Sequence, residues 1–220
     1  MRPDLPELRA GAVALVAVLP LIPFALIAVL VSGGWEPLHE FDRDVTDALN
    51  QAANASPLLT TVMTWLTYLF HPNVFRAAAL VLVIWLVRRR ARRTAAWVAV
   101  TMIAGGLLGG LLKLLFERAR PELPEAVASA VGYAFPSGHA LNSVLGVAVF
   151  VAVFPRLGWL WIIPPITALT RVFLGVHWTS DVIAGLLLGA AVPAITLAVF
   201  RRFAARTPQR VPDGEPVRQL

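Results

Sequence analysis

Residues 94–112 read TAAWVAVTMIAGGLLGGLL, a segment of nineteen residues without a charge that follows a dense cluster of arginines. A helix needs roughly 20 mostly apolar residues to cross a hydrocarbon core about 30 Å thick. Arginines concentrate on the cytoplasmic side of such helices. The segment therefore predicts a transmembrane helix whose N-terminal end lies in the cytoplasm. The cluster consists of Arg88, Arg89, Arg90, Arg92 and Arg93.

The composition of the whole chain also indicates a membrane environment. Of the 220 residues, 58% are hydrophobic and 15% are charged, whereas a soluble domain has about 45–50% and about 25%. The net charge of +6 reflects arginines that lie beside apolar runs. This pattern is typical of membrane topology, so no nucleic-acid partner is expected. The absence of cysteine excludes disulfides, thiolate metal sites and thiol nucleophiles.

Five further apolar runs resemble membrane spans. The first, at 11–32, follows Arg2 and Arg9. We interpret it as a retained helix and not as a cleaved signal peptide, whose apolar region is only about 7–15 residues long. Six spans place both termini and every basic turn in the cytoplasm. The predicted spans are 11–32, about 73–88, 94–112, 140–154, 157–170 and 182–200.

Residues 36–87 allow more than one interpretation. The spacing of Phe41, Val45 and Leu49 predicts a short amphipathic helix on the outer face of the membrane. The apolar run that follows is either two spans or a re-entrant or interfacial piece at 57–70 followed by one span. A seventh full span would put the arginine cluster outside, so the positive-inside rule favours the second interpretation.

The expected fold class is therefore all-α. It is a polytopic membrane bundle of six transmembrane helices with an outer-face amphipathic or re-entrant segment. A single membrane-embedded domain is expected at 1–202, and a disordered cytoplasmic tail is expected at 203–220, where apolar residues are few. Pro164 and Pro165 inside the fifth span predict a kink.

Three polar stretches fall at the predicted outer ends of the spans: KLLFERARP at 113–121, FPSGH at 135–139 and TRVFLGVHWTSD at 170–181. Arginine forks and the unpaired N–H groups of a helix start both bind phosphate. In a helix, His177 and Asp181 would lie one turn apart, where the carboxylate can orient the ring. This equipment suits phosphoryl transfer without a metal. The candidate phosphate-binding residues are Lys113, Arg120, Ser137, Gly138 and Arg171.

These stretches resemble the motifs of the type-2 phosphatidic-acid phosphatase superfamily, a group of integral membrane lipid phosphatases. The family pattern is K-x6-R-P, then P-S-G-H, then S-R-x5-H-x3-D. The resemblance covers about residues 57–200 of this chain, the expected catalytic core. Thr170 stands where the family usually has serine, so a hydroxyl that could contact phosphate is kept, but its added methyl could alter that contact.

The resemblance implies a role for each motif residue. His177 is implied to be the nucleophile that forms a phosphohistidine, and Asp181 is implied to orient and polarise it. His139 is implied to protonate the leaving alkoxide and then to activate water. The candidate phosphate-binding residues are implied to hold the phosphoryl oxygens and to stabilise the transition state. No metal or other cofactor is implied.

The expected function is hydrolysis of a lipid phosphate or pyrophosphate on the extracytoplasmic side of the cell membrane. Undecaprenyl pyrophosphate, phosphatidic acid and phosphatidylglycerol phosphate are candidate substrates, and the residues do not separate them. A phosphotransferase on the same scaffold and a non-enzymatic lipid-binding or transport protein are the alternatives. The intact His139, His177 and Asp181 argue against the second of these. The sequence indicates no oligomeric state.

Polar residues outside the motifs are expected to have ordinary roles. Arg118 is expected to be an interfacial charge, and the nearby glutamates of the 117–125 loop are expected to be solvated. His39 and His71 are expected to be structural, with His71 capping a turn.

Overall fold

A computed structural model describes residues 15, 17–123 and 126–205, and within these ranges it contains helices and connecting turns but no strand. The all-α class is confirmed. A 3₁₀ helix spans Pro155–Ile162. The α-helices are α1 Leu21–Ser32, α2 Glu36–Ala55, α3 Pro57–Leu69, α4 Pro72–Arg88, α5 Arg92–Phe116, α6 Gly138–Val153, α7 Ile163–Phe173 and α8 Thr179–Ala205.

Helix α6 lies at the centre of the bundle and packs against α4, α5, α7 and α8. Most of its residues are buried. Two glycines allow α8 to approach it closely, since a Cβ at Gly185 would lie 2.6 Å from the carbonyl oxygen of Ser137 and one at Gly189 would lie 2.7 Å from Val144 Cβ. Small residues at helix contacts are typical of membrane bundles, where close backbone packing replaces the hydrophobic effect between helices.

The outer surface of the bundle carries many exposed apolar side chains, including Leu58, Trp65 and Leu115. A surface of this kind indicates contact with lipid and not with water. Among the described residues, three helical segments are long and apolar enough to cross a membrane, or four if the pair α1 and α2, bent by 97°, counts as one. The protein is thus a membrane protein, but the count of six spans is not confirmed. The three segments are Pro57–Arg88, Arg92–Phe116 and Thr179–Phe203.

The structure of the segment 57–70 matches neither interpretation of the sequence, since it is neither a separate span nor a re-entrant or interfacial piece. Helices α3 and α4 together form one candidate span of 32 residues, Pro57–Arg88, broken only near His71. Pro72 lies at the first position of α4, where proline needs no hydrogen-bond donor and its fixed φ suits a helix start. The polar break therefore begins a new helix and does not turn the chain back.

Helix α2 is amphipathic, but its buried stripe is shifted by one residue from the predicted stripe. Phe41 is 51% exposed, whereas Asp42 is 1% exposed. The buried positions also include Thr46 and Asn50, whereas Val45 and Leu49 pack against an apolar cluster formed by α6, α7 and α8. The helix therefore buries a polar face, for a reason found in the candidate active site.

The predicted kink at Pro164 and Pro165 is wrong. Both prolines lie in the first turn of α7, where the N–H groups of a helix have no intrahelical partner, so the prolines start the helix instead of bending it. The predicted span 157–170 is accordingly a 3₁₀ helix followed by a short α-helix. At the C-terminal end, Phe203–Ala205 still belong to α8, and the rest of the predicted tail, 206–220, lies outside the described residues, as do 1–14.

Candidate active site

The three polar stretches meet at one end of the bundle. The N–H of Ser137 donates to the carbonyl of Asp181 at 2.9 Å, which joins the second stretch to the third. The Nη1 atom of Arg120 donates to the carbonyl of Val176 at 2.6 Å, which joins the first stretch to the third. Residues far apart in the chain therefore form one cluster, which we call the outer site.

His177 lies in the turn between α7 and α8 and is 2% exposed. Gly175 adopts a φ of 65°, and its N–H and that of Val176 bond to carbonyls of α7. This pattern is a Schellman motif, in which glycine takes the left-handed conformation at a helix C-terminus. The motif turns the chain so that His177 faces the start of α8.

Asp181 lies in the first turn of α8 and is fully buried. Its Oδ2 atom is 3.3 Å from His177 Nδ1 and accepts the N–H of Trp178 at 3.0 Å. A carboxylate near a helix N-terminus is stabilised by the helix dipole. The histidine tautomer with hydrogen on Nδ1 satisfies this contact and leaves a lone pair on Nε2.

The Nε2 atom of His177 faces a guanidinium. Arg120 Nη1 lies 3.1 Å from it, which suits a donor approaching a lone pair. Burial of the ring lowers the pKa of His177 well below its ordinary value, and the charges of Arg120 and Arg171 lower that pKa further. The ring is thus neutral at physiological pH and retains the lone pair that a nucleophile requires.

Backbone carbonyls hold two of the cations. Arg120 Nε donates to the Gly132 carbonyl at 2.7 Å, and Lys113 Nζ donates to the carbonyls of Tyr133 and Ala134. The segment 131–134 therefore fixes Lys113, at the end of α5, beside Arg120. Such preorganised cations favour an anionic ligand.

Arg171 is held by the segment whose role the sequence left open. Its Nη1 atom donates to Thr67 Oγ1 of α3 at 2.7 Å. Thr170 Oγ1 donates to the carbonyl of Thr167 at 2.7 Å and lies 3.3 Å from Thr67 Oγ1. The Thr170 hydroxyl is therefore engaged with the protein and supports Arg171 through Thr67.

His139 lies in the first turn of α6 and is half-buried. Its ring meets the ring of His71 edge to face, with centroids 5.2 Å apart. His71 Nδ1 accepts the N–H of Asn73 at 3.2 Å, so its expected capping role is confirmed. Burial of the ring and then the charge of Arg171 lower the pKa of His139 to about 2 in the free protein, so the ring is neutral there. The contact between the two histidine rings was not predicted.

The expectation for Arg118 is wrong. Its side chain is 7% exposed and forms ion pairs with Asp181 Oδ1 at 2.7 Å and with Asp42 Oδ2 at 2.8 Å. Asp42 belongs to the polar stripe of α2, so this stripe is buried because it contacts Arg118 and the start of α8. A sequence signal did exist, since Asp42, Thr46 and Asn50 follow helical spacing, but nothing in it identified the partner.

The chemistry of the outer site is that of arginine, lysine and histidine. Within the part of the chain that the structure describes, no group of three His, Asp or Glu side chains is arranged to hold a metal ion. Among the described residues, two buried donors of the outer site, Ser137 Oγ and Arg171 Nε, have no hydrogen-bond partner. Buried polar groups are normally paired, so these atoms are available to a ligand.

Fold and site together define an α-helical membrane protein with a cationic, histidine-containing anion site. The chain belongs to the PAP2 superfamily, whose family model matches residues 94–205. This match confirms the resemblance drawn from the three motifs.

Individual relatives are phosphatases. The chain is 37% identical to the lipid A 1-phosphatase of Rhizobium johnstonii, over 56% of this chain and 54% of that protein. It is 30% identical to the undecaprenyl-diphosphatase of Sulfolobus acidocaldarius, over 52% and 59%. The chain thus matches little more than half the length of these relatives. The crystal structure of a transmembrane PAP2-type phosphatidylglycerolphosphate phosphatase from Bacillus subtilis superposes with a TM-score of 0.73 at 20% identity, covering 90% of this chain and all of that one.

Proposed function

We propose that the protein is a membrane phosphatase that hydrolyses a lipid phosphate or pyrophosphate through a phosphohistidine, without a metal. The observation that carries this proposal is the environment of His177. Its ring is neutral and buried, Asp181 contacts Nδ1, and Nε2 points toward a cluster of cations. This arrangement fits a nucleophile that attacks a bound phosphoryl group.

The phosphoryl oxygens would bind among the cations. Lys113, Arg120 and Arg171 supply positive charge, and Ser137 Oγ supplies a buried hydroxyl without a protein partner. The N–H groups at the start of α6, beginning with Gly138, point along the helix dipole toward an anion. A phosphate there would satisfy the unpaired Ser137 Oγ and Arg171 Nε, which supports this location.

The proposed reaction has two steps. In the first, the bound anionic phosphoryl group raises the proton affinity of His139, which takes up a proton from solvent. His177 Nε2 then attacks phosphorus, the bond from phosphorus to the leaving oxygen breaks, and His139 gives that proton to the leaving oxygen. In the second, His139 takes a proton from water, the water oxygen attacks phosphorus, and the P–N bond breaks to release phosphate. The cations stabilise the charge on the equatorial oxygens in both transition states.

Arg120 has to change partner when substrate binds. In the free protein its Nη1 atom occupies the direction of the Nε2 lone pair at 3.1 Å. A phosphoryl group entering between them would accept hydrogen bonds from the guanidinium and bring phosphorus to Nε2. Arg120 therefore marks the position that the phosphoryl group takes.

The orientation in the membrane follows from charge. Arg92 and Arg93 begin α5, and Lys113 lies near its other end. A helix of 25 residues is about 37 Å long at 1.5 Å per residue, which exceeds the hydrocarbon thickness. If the arginine cluster is cytoplasmic, the outer site faces the extracytoplasmic side and both termini are cytoplasmic.

The substrate class is proposed from the membrane setting and the relatives. A site at the membrane surface of an apolar bundle admits a lipid head group from the leaflet while the chains stay in the bilayer. The two curated relatives are named for lipid A and undecaprenyl diphosphate. Undecaprenyl pyrophosphate, phosphatidic acid, phosphatidylglycerol phosphate and a lipid A phosphate are therefore the substrates to test.

The test is phosphate release by detergent-purified protein from these four lipids. His177→Ala should abolish release while the protein remains folded, and His39→Ala, a histidine outside the outer site, should retain activity. Acid-labile labelling of the wild type by a ³²P-lipid, absent in His177→Ala, would identify the phosphohistidine. Release that survives in His177→Ala would contradict the proposal. Transfer to an added alcohol without release would instead indicate a phosphotransferase.

A further inference from the structure

A buried network joins α2 to the start of α8 through Asp42 and Arg118, two residues that the family pattern does not specify. Asp42 on α2, Arg118 after α5 and Asp181 on α8 are all buried, and one guanidinium lies between the two carboxylates. A buried charge is tolerated only when it is paired and hydrogen-bonded. The three charges therefore depend on one another, although 76 residues separate Asp42 from Arg118 in the chain.

The two oxygens of Asp181 have different partners. Oδ2 contacts His177 Nδ1 and the N–H of Trp178. Oδ1 accepts a hydrogen bond from Arg118 Nη1 at 2.7 Å. Arg118 thus holds the carboxylate from the side opposite His177 and fixes its rotation. Without Arg118, Oδ1 would be buried without its charged donor.

Asp42 anchors this arrangement from a separate helix. Its Oδ1 atom accepts the N–H of Ser180 at 2.9 Å, and its Oδ2 atom accepts the hydroxyl of Ser180. The first N–H groups of a helix need such partners, and the helix dipole favours a carboxylate there. Asp42 therefore caps α8 and at the same time accepts a hydrogen bond from Arg118. The carboxylate of Asp42 thus holds both the start of the helix that carries Asp181 and the arginine that binds Asp181.

We propose that Arg118, anchored by Asp42, is a positioning residue that holds Asp181 against His177 and thereby keeps the hydrogen of the ring on Nδ1. The proposal rests on the phosphatase function inferred above. Among its hydrogen bonds, Arg118 contacts Ser180, Asp181 and Asp42. It acts on the reaction through Asp181.

The kinetic consequence is a loss in kcat with little change in KM. Arg118→Gln removes the charge that fixes Asp181 but leaves the phosphate-binding cations in place. Loss of an outer partner of a functional histidine typically costs about 10–100-fold in metal sites, and we expect a loss of that order here. Asp42→Asn should act in the same direction. Arg43→Gln, which breaks the exposed Arg43–Glu36 ion pair on the same helix, is the matched control and should keep full activity.

A double variant separates positioning from a general structural effect. If Arg118 acts through Asp181, Arg118→Gln combined with Asp181→Asn should be about as slow as Asp181→Asn alone, because residues that act as one unit are not additive. Independent, multiplying losses would overturn the proposal, as would an Arg118→Gln variant as fast as Arg43→Gln.

The tautomer of His177 can be observed without turnover. The chain has four histidines, so ¹⁵N-histidine NMR in detergent gives few ring signals, and His177→Asn identifies the signal of interest. The wild type should show one neutral tautomer with Nδ1 protonated, and Arg118→Gln should show a mixture. An unchanged tautomer would overturn the proposal. If the wild type releases no phosphate from any lipid, the phosphatase function fails and this spectrum still decides the positioning role.

Arg118→Lys provides a second test in case Arg118→Gln does not fold. Lysine keeps the charge but lacks the planar fork that bridges two carboxylates. It should fold, should lose less kcat than Arg118→Gln, and should show a smaller tautomer mixture. Activity and tautomer identical to those of the wild type would show that only the charge matters and would overturn the bridging role.

Discussion

The two ends of the bundle are built from the same helices but are held together by opposite interactions. At the end opposite the outer site, Trp97, Leu86 and Leu197 form an apolar cluster in which the indole N–H of Trp97 bonds to Thr196. At the other end, the outer site consists of paired charges and hydrogen-bonded rings. Apolar packing tolerates many replacements of similar volume, whereas a buried polar network fails when one partner is lost.

This difference separates stability from function. Variants at the outer site should change catalysis more than folding, since the side chains there contact the proposed nucleophile or the proposed phosphate-binding groups. Variants at the apolar cluster of Trp97, Leu86 and Leu197 should change folding and leave the chemistry of the folded fraction intact.

The largest expected effect is that of Asp181→Asn. The amide keeps the size of the side chain but can donate to His177 Nδ1, which favours the wrong tautomer. The corresponding change in a serine-protease triad lowers kcat by about 10⁴-fold, and we expect a loss of about 10³–10⁴-fold in phosphate release. Asp47→Asn, on the exposed face of α2, should be without effect. A loss below tenfold would contradict the role of Asp181.

Trp97→Ala tests the apolar end of the bundle. Trp97 is almost fully buried, and loss of a buried tryptophan costs about 3–5 kcal/mol of stability. The melting temperature in detergent should fall sharply, while kcat per folded molecule should stay within about twofold of the wild type. The control is Trp65→Ala, because that side chain is exposed to lipid. An unchanged melting temperature, or a large loss of kcat in folded protein, would contradict the separation of stability and catalysis between the two ends.

Acid should lower the stability of the protein through the buried neutral ring of His177. Burial holds the pKa of His177 well below its ordinary value, so below about pH 6.5 the unfolded chain binds a proton that the folded ring does not. Its contribution to stability is present above that pH and is lost as the pH falls toward the folded pKa. The slope is about 1 kcal/mol per pH unit. Between pH 7.5 and 5, the melting temperature should therefore fall more steeply with decreasing pH for the wild type than for His177→Asn. The same dependence of melting temperature on pH in both proteins would show that His177 is not buried in its neutral form.

Sequence reasoning succeeded where chemistry is local to a motif. His177 and Asp181 are four residues apart, and the contact predicted from that spacing is present at 3.3 Å. The helix assumed in that prediction begins only at Thr179, so His177 lies in the turn before it. The apolar runs similarly predicted helices, because a bilayer requires their length and composition.

It failed where a partner is distant in the chain. Arg118 looked like an interfacial charge because Asp42, 76 residues away, lies on a different helix. For the same reason the segment 57–70 had no evident role until Thr67 was found beside Arg171. Pairing of this kind is set by tertiary packing, which neither periodicity nor motif spacing encodes.

The smallest effect is expected for Thr170→Ser, which restores the family's usual residue. The hydroxyl donates to the carbonyl of Thr167 and lies close to Thr67, and serine can make the same contacts. Only one buried methyl is lost, at a cost of about 1 kcal/mol in stability. Phosphate release should stay within about twofold of the wild type. Thr170→Val is the matched variant, since it keeps the volume but removes the hydroxyl that contacts Thr67, the partner of Arg171, and should raise KM. If Thr170→Ser were instead severely impaired, the methyl would shape the outer site directly, and the support of Arg171 through Thr67 would not be the main role of this residue.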